Sequence, residues 1–310
     1  MLTFALKRLA GTLPVLLGVT LLVFGLLRLT PGDPLTALVG DELGGISATQ
    51  LAQLRRQYGL DGPWYVQYGA FMEKLAGGDL VSLRTQRPVV EEIAARFPYT
   101  LQLTVVAVFL AALIAVPLGV IAALRRGSPA DLLVMGLALL GVSVPTFWLG
   151  IMLMLAFALG LGWLPPSGSG GPEYFVLPTA TLTFASVALI ARMTRASLLE
   201  TLDQDYVRTA RAKGLRESRV VTRHALRSAL VPIVTVIGLE FGALLSGAAV
   251  TETIFAWPGL GRLTVQAIAS RDLPLIEGIV IFTAVLYTLV NLTVDLLYAA
   301  LNPRIRLQYA

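Results

Sequence analysis

Two acids lie inside otherwise apolar stretches of this 310-residue chain, and they are the residues best placed to do chemistry there. Glu240 falls about nine residues into the stretch around Val231–Thr251, which at about 1.5 Å of rise per helical residue puts it deep inside. A charge at that depth costs roughly 2.5–3.5 kcal/mol on insertion scales, so Glu240 is not expected to face lipid. Two readings stay open. It lines a pore and attracts a cation such as a peptide amino terminus, or it is protonated or bonded to a hydroxyl on a neighbouring helix. Asp295 belongs to a helical stripe with Tyr287, Asn291 and Tyr298, where helix–helix contact is the leading reading and pairing with a loop arginine the functional one. The single histidine, His224, has no second histidine to complete a ligand cluster, and there is no cysteine. Thiolate metal sites, disulfides and cysteine catalysis are thereby excluded, and no metal site is expected. No glycine-rich P-loop ending in Gly-Lys-Ser/Thr occurs, so ATP is not held by this chain in that way.

The elements that must position these residues are membrane helices. The chain is 56% hydrophobic and only 14% charged, against about a quarter charged in soluble domains. Charge-free runs cover Leu9–Leu27, Phe97–Leu124, Leu132–Pro172 and Tyr174–Ala191. Two further stretches, Val231–Thr251 and Leu275–Leu301, carry Glu240 and Asp295. About 20 apolar residues cross about 30 Å of hydrocarbon, so an all-α polytopic protein with six transmembrane helices is expected. Tyr174–Ala191 is the weakest of the six, being short, threonine-rich and interrupted by Pro178. The first run starts with Lys7 and Arg8 but lacks a small-x-small cleavage site, so a retained helix is expected rather than a signal peptide. Pro117 and Pro145 are expected to kink the second and third crossings.

Loop charge sets the orientation. Nine Lys and Arg residues lie between Arg192 and Arg227, whereas the short loops on the other side hold only Arg262 and Arg271. Both termini are then cytoplasmic. The net charge of +5 reads as loop charge beside a bilayer, not as a nucleic-acid surface. The chain divides into residues 1–30 (N-terminus and first crossing), 31–96 (a small helical extracytoplasmic insertion) and 97–310 (a five-helix core). In the insertion, Ser47-x-x-Gln50 reads as a capping box. Pro63 opens a helix whose stripe is Trp64, Tyr68, Phe71 and Leu75, ended at Gly77-Gly78. Local packing is the leading reading of that stripe, and reception of a soluble partner the functional one. After Pro88, Val89, Ile93 and Phe97 predict an amphipathic piece in the interface that then turns into the second crossing.

The cytoplasmic connection 192–230 is too polar to span and too helical for a slack linker. Asp203 or Asp205 can cap a helix over Gln204–Lys213, Gly214 follows where a left-handed residue is wanted, and a second helix is predicted over Glu217–Ala229. Two short helices joined at a glycine make a protrusion of fixed shape, suited to force transfer from a soluble protein.

The stretch Arg208-Thr-Ala-Arg-Ala-Lys-Gly214, followed by His224-Ala-Leu-Arg-Ser-Ala-Leu-Val-Pro232, resembles the EAA-type coupling loop of bacterial ABC importer permeases. Arg208 and Thr209 stand where the family has Glu and its first Ala, and this basic version is similar to the dipeptide/oligopeptide/nickel branch. Further matching segments are Arg28-Leu-Thr-Pro-Gly-Asp-Pro34, Gly78-Asp-Leu80, Ser143-x-Pro-x-Phe-Trp-Leu-Gly150, Thr251-Glu-Thr-Ile-Phe-Ala-Trp-Pro-Gly-Leu-Gly-Arg262, Arg271-Asp-x-Pro274, Asn291-Leu-x-x-Asp295 and Asn302-Pro-Arg-Ile-Arg306. The resemblance implies a non-catalytic permease subunit of the bacterial inner membrane. It implies a second permease (identical or related), two ABC ATPase subunits that hold the ATP and magnesium, and an extracytoplasmic substrate-binding protein that delivers peptides. Glutathione and chelated nickel are the alternative cargoes. By position in the motif, Tyr206, Arg208, Ala210, Lys213, Gly214, Leu215, His224 and Leu226 form the ATPase-coupling loop, and Glu240, Asn291 and Asp295 are candidates for the translocation path. An ion-coupled secondary transporter is the rival class, disfavoured because no inverted repeat of broken helices is visible.

Overall fold

The computed structural model describes residues 2–29, 49, 53 and 62–301; within these the chain is helical, with no strand beyond one isolated bridge, Val81 to Pro88. The elements are α1 (Leu2–Leu29), α2 (Trp64–Gly77), α3 (Val89–Leu124), α4 (Pro129–Ser143), α5 (Thr146–Leu153), α6 (Glu173–Leu202), α7 (Asp205–Ala212), α8 (Leu226–Gly247), α9 (Ala249–Ile254), α10 (Leu260–Ala269) and α11 (Leu273–Leu301). Among the described residues, four stretches are long and apolar enough to cross a bilayer: Val89–Leu124, Glu173–Leu202, Glu217–Ser246 and Leu273–Val294. The bent pair α4–α5 makes a fifth if counted as one span, and Gly11–Gly25 within α1 is a shorter apolar helix.

Several expectations change at prolines, for physical reasons. Pro145 does not kink the third segment but breaks it. Val144 is extended (φ −80°, ψ 120°), Pro145 becomes the N-cap of α5, and the two halves meet at 100°. Proline disfavours the α region for the residue before it, and here the chain takes that option fully. Beyond α5 the helix widens to a π-helical Met154–Gly160. Pro117, by contrast, leaves α3 one continuous 36-residue helix. The expected turn between an interfacial piece and the second crossing is also absent. Val89 and Ile93 are buried in a cluster with Leu260, Leu263, Leu275 and Ile279. Their stripe faces protein rather than lipid, so α3 runs straight through.

The weakest predicted crossing becomes the centre of the bundle. α6 extends to 30 residues and packs against α3, α4, α5 and α8. Its threonines explain both its low hydropathy and its burial. Thr181, Thr194 and Thr201 each donate a hydroxyl back to the carbonyl four residues earlier, at 2.8 Å. These three hydroxyls are thus satisfied inside the helix, and Thr183 donates across to the Ala107 carbonyl of α3 at 3.3 Å, which leaves compact methyl-bearing surfaces for packing. Small residues then bring the helices close. A Cβ at Gly119 would lie 2.6 Å from both the Ala191 carbonyl and the Thr194 Cβ, and one at Gly141 would lie 2.6 Å from the Ala188 Cβ. On the other side of the bundle, Gly238 seats Val294 and Gly242 seats the Tyr287 ring, which joins α8 to α11.

The bundle has two different ends. One carries α2, the 78–88 turn and the α9–α10–α11 connections; the other carries Arg125–Ser128 and the α6–α7–Glu217 connection. At the first end, Tyr68, Phe71 and Leu75 of the predicted α2 stripe pack locally while Trp64 is exposed: Tyr68 and Phe71 lie against the Phe24 ring of α1, and the Tyr68 hydroxyl lies 2.8 Å from Thr20 Oγ1. Gly78 ends α2 in the left-handed region at φ 75°. The capping box at Ser47–Gln50, the Arg28–Pro34 segment beyond Leu29, and Asn302–Arg306 lie outside the described residues.

Candidate coupling loop and intramembrane acids

The α6–α8 connection is a short helix standing on a greasy foot. α7 begins after Gln204, which takes extended backbone as the N-cap but makes no side-chain cap bond. Contrary to the expectation that Asp203 or Asp205 caps the helix, neither does. Asp205 instead sits in the first turn, where a negative charge suits the helix dipole. Lys213 ends α7, and Gly214 follows at φ +73°, the left-handed position that glycine occupies without strain. Arg211 closes this turn with a forked bond to Glu217, its Nη2 2.7 Å from Oε1 and its Nε 3.1 Å from Oε2. The chain then runs on from Glu217 through a π-helical Val220–Ala225 into α8 without interruption. The second loop helix predicted to end near Ala229 is therefore the root of a membrane-crossing helix.

The side chains of α7 divide cleanly. Val207 and Ala210 are buried in a cluster with Ala123, Leu198, Val220, Ala225, Ala229 and Ile233; Leu215 and Leu226 pack on its edge. Ala210, expected at an outside contact, thus anchors the protrusion to its own chain. Tyr206, Arg208, Lys213 and Gly214 are exposed, and His224 is half-buried. The predicted loop residues form two sets, a foot (Ala210, Leu215, Leu226) and a face (Tyr206, Arg208, Lys213, Gly214).

Glu240 sits on α8 beside α6. Ser186 Oγ donates to its Oε2 at 3.0 Å, so this carboxylate has the hydroxyl partner of one reading while remaining partly exposed. Asn291 is half-buried on α11; the side chains of Asp295 and Tyr298 lie outside the described residues.

Three further acids, each tied to another part of the chain, were missed by the sequence reading. Asp131, nearly buried, receives Arg195 in a bidentate bridge at 2.6 and 2.8 Å and the Gly127 N–H at 2.9 Å, which ties the start of α4 to α6 just before the loop. Its signal was Ser128-Pro-Ala-Asp131, an N-cap pattern in which the Ser128 hydroxyl accepts from Asp131 N. Glu252 is fully buried. Its Oε1 accepts from Thr100 Oγ1 at 2.6 Å, and its Oε2 accepts from Arg262 N at 3.0 Å. Burial pushes the Glu252 carboxyl up, against the Thr100 hydroxyl and the Arg262 and Gly261 N–H groups that pull it down. The glycines of the Thr251–Arg262 motif have a packing reason: Gly259 lies against the Glu252 carboxylate and Gly261 against the Ala249 backbone, with no room for a Cβ. Asp272, also fully buried, accepts from Ser82 Oγ (2.5 Å), Leu83 N (3.1 Å), Arg84 N (3.2 Å) and Leu275 N (3.3 Å). It caps α11 and clamps the 78–88 turn at once.

Long apolar helices around a threonine-rich centre, with a basic protrusion at one end, define a multi-pass membrane protein. The chain belongs to the binding-protein-dependent transport system inner membrane component family, matching it over residues 115–307 and its N-terminal counterpart over residues 1–104. It is the permease subunit of an ABC transporter in the inner membrane. Over 307 residues it is 45% identical to the glutathione transport system permease protein GsiC of Salmonella paratyphi A, with 99% of each chain covered. It is 43% identical over the same length to GsiC of Escherichia coli strain K12, again with 99% of each covered. Among solved structures, the inward-facing MetNI methionine ABC transporter matches 70% of this chain and 99% of its own at a TM-score of 0.60 and 21% identity. An amino acid ABC transporter with histidines matches 68% and 94% at 0.54 and 20%. These two likenesses concern the fold alone.

Proposed function

We infer that this chain forms one half of the pore of an ATP-driven importer of short peptides, with glutathione as the first substrate to try. Six crossings with both termini in the cytoplasm are proposed, α1 and the α4–α5 pair completing the four long spans. Residues 31–96 then form an extracytoplasmic insertion on a core of 97–310. The carrying observation is the split of α7 into a buried foot and an exposed face. Val207 and Ala210 fix the helix to the roots of α6 and α8, so a load applied to Tyr206, Arg208 and Lys213 moves two membrane helices together. An ATPase subunit is the proposed source of that load. ATP and magnesium belong to that partner, a second permease closes the pore, and a binding protein delivers the cargo; the chain itself carries out no catalysis.

The substrate class draws support from the 45% identity to a glutathione permease and from the partial exposure of Glu240. A carboxylate within the bundle offers a counter-charge to a peptide ammonium group. If Glu240 acts on cargo, Glu240→Gln lowers uptake and shifts preference between substrates with free and blocked amino termini, whereas a purely structural carboxylate leaves preference unchanged.

The test is uptake of labelled glutathione and dipeptides by proteoliposomes holding this chain, its companion permease, ATPases and binding protein. ATP-dependent, vanadate-sensitive uptake is expected. Uptake by the isolated chain on a proton gradient would overturn the importer reading.

A further inference from the structure

A narrow stripe seats α4 on the bundle. Asp131, Val134, Ala138 and Gly141 are buried at helical spacing, while Leu132, Leu133, Leu137, Leu139 and Leu140 between them are exposed. The apolar members of the stripe are compact, and a Cβ at Gly141 would lie 2.6 Å from the Ala188 Cβ of α6. Small side chains let helices approach closely. They make no directional bond that sets how far one helix lies along the other, and packed helices slide by small shear steps over such contacts.

Asp131 is the exception in that stripe. Its carboxylate takes both arms of Arg195, Nε at 2.6 Å from Oδ1 and Nη2 at 2.8 Å from Oδ2, and Oδ2 also accepts from Gly127 N at 2.9 Å. A forked guanidinium–carboxylate pair fixes orientation as well as distance. Only 5% of the Asp131 side chain and 25% of the Arg195 side chain are exposed, so salt and water screen the pair little. The α3–α4 corner and α6 are therefore joined at one defined register.

The bridge stands where the protrusion meets the broken helix pair. Arg195 lies one turn before Leu198, which is buried in the foot with Val207 and Ala210. From Asp131, α4 leads through the break at Pro145 into α5, where a Cβ at Gly150 would lie 3.2 Å from the Phe255 ring at the end of α9. The α4–α5 pair thus runs from the loop end of the bundle to the α9 corner.

We propose that the Asp131–Arg195 bridge is a positioning contact for transport: it fixes the register of α4 on α6, so that movement of α7 drives the α4–α5 pair together with α6 and α8. The bridge stays closed through the transport cycle. This rests on the importer reading above. The test measures uptake per ATP hydrolysed, and ATPase attachment, on the full transporter in proteoliposomes. Asp131→Asn removes the charge, and Arg195→Lys keeps it but loses the fork. Each lowers uptake per ATP roughly threefold or more, the scale for residues that carry coupling between sites, with the ATPases still attached. The chain has no cysteine, so Asp131→Cys with Arg195→Cys can be joined by a reducible thiol cross-linker. Joining the pair raises uptake per ATP toward the wild-type value, and reduction lowers it again. Unchanged uptake per ATP in both single variants, with total uptake falling only as folded protein is lost, makes the bridge merely structural and overturns the proposal while the importer stands. So does a joined pair that transports only after reduction, because α4 and α6 would then have to part. Absence of ATP-dependent uptake by the wild-type complex removes the importer reading itself.

Discussion

The two ends of this bundle solve the problem of joining helices in opposite ways. At the insertion end the connections close around buried carboxylates: Glu252 gathers Thr100, Gly261 and Arg262, and Asp272 gathers Ser82, Leu83, Arg84 and Leu275. At the loop end the α6–α7–α8 connection rests on apolar contacts beneath α7 and the exposed ion pairs of Arg211 with Glu217 and Arg208 with Asp205, while the buried carboxylate of Asp131 serves the neighbouring α3–α4 corner. A buried carboxylate with all its donors fixes one geometry and tolerates little movement. An apolar foot under an exposed helix holds shape while it leaves the outer face free to bind. The contrast assigns the first end the task of a frame and the second that of a handle.

The largest effect is expected where the frame is tightest. Gly259→Val drives a branched side chain into the Glu252 carboxylate and exceeds the 1–3 kcal/mol typical of overpacking; loss of folded protein in detergent thermal melts checks it. Next comes Glu252→Gln, which turns an amide N–H toward backbone donors and costs about 1–3 kcal/mol. It also changes the pH profile. The native carboxyl titrates above its ordinary value, so the folded chain holds more protons than the unfolded one between the two. Stability therefore falls as pH rises through that window. Wild-type melts should show the fall and Glu252→Gln should flatten it. At the handle, Ala210→Leu overpacks the foot by about 1–3 kcal/mol and, unlike the frame changes, uncouples ATP hydrolysis from uptake. Smallest is Arg211→Ala. An exposed pair contributes under about 1 kcal/mol, so melting barely moves. A large drop there would erase the contrast between the ends.

Much of this architecture was legible from periodicity and charge. The α2 stripe, the glycine at 214 and the protruding loop follow from helical spacing and from the φ preference of glycine, which are local properties. What was not legible depended on partners far along the chain. Asp131 has no distinguishing local signal beyond its N-cap pattern, because its partner Arg195 lies 64 residues on. Asp272 was quoted within a motif, but the turn it clamps lies 188–190 residues earlier. The threonines that weakened the α6 signal are polar on a hydropathy scale yet buried in the bundle, Thr181 bonded within its own helix and Thr183 to the Ala107 carbonyl of α3. Pro145 announced a disturbance, but local sequence cannot distinguish a kink from a full break, because the bend depends on what each half packs against. Ala210 carried the motif's position without its direction, since burial on one side of an eight-residue helix is decided by the helices beneath it.

The most direct test of the handle is a paired measurement on one reconstituted transporter: ATP hydrolysis and glutathione uptake with Arg208→Glu and Lys213→Glu on the exposed face of α7. The account predicts a folded chain with unchanged melting, weakened ATPase attachment and uptake reduced in step with it. Full uptake with normally attached ATPases would contradict the claim that this face receives the driving subunit.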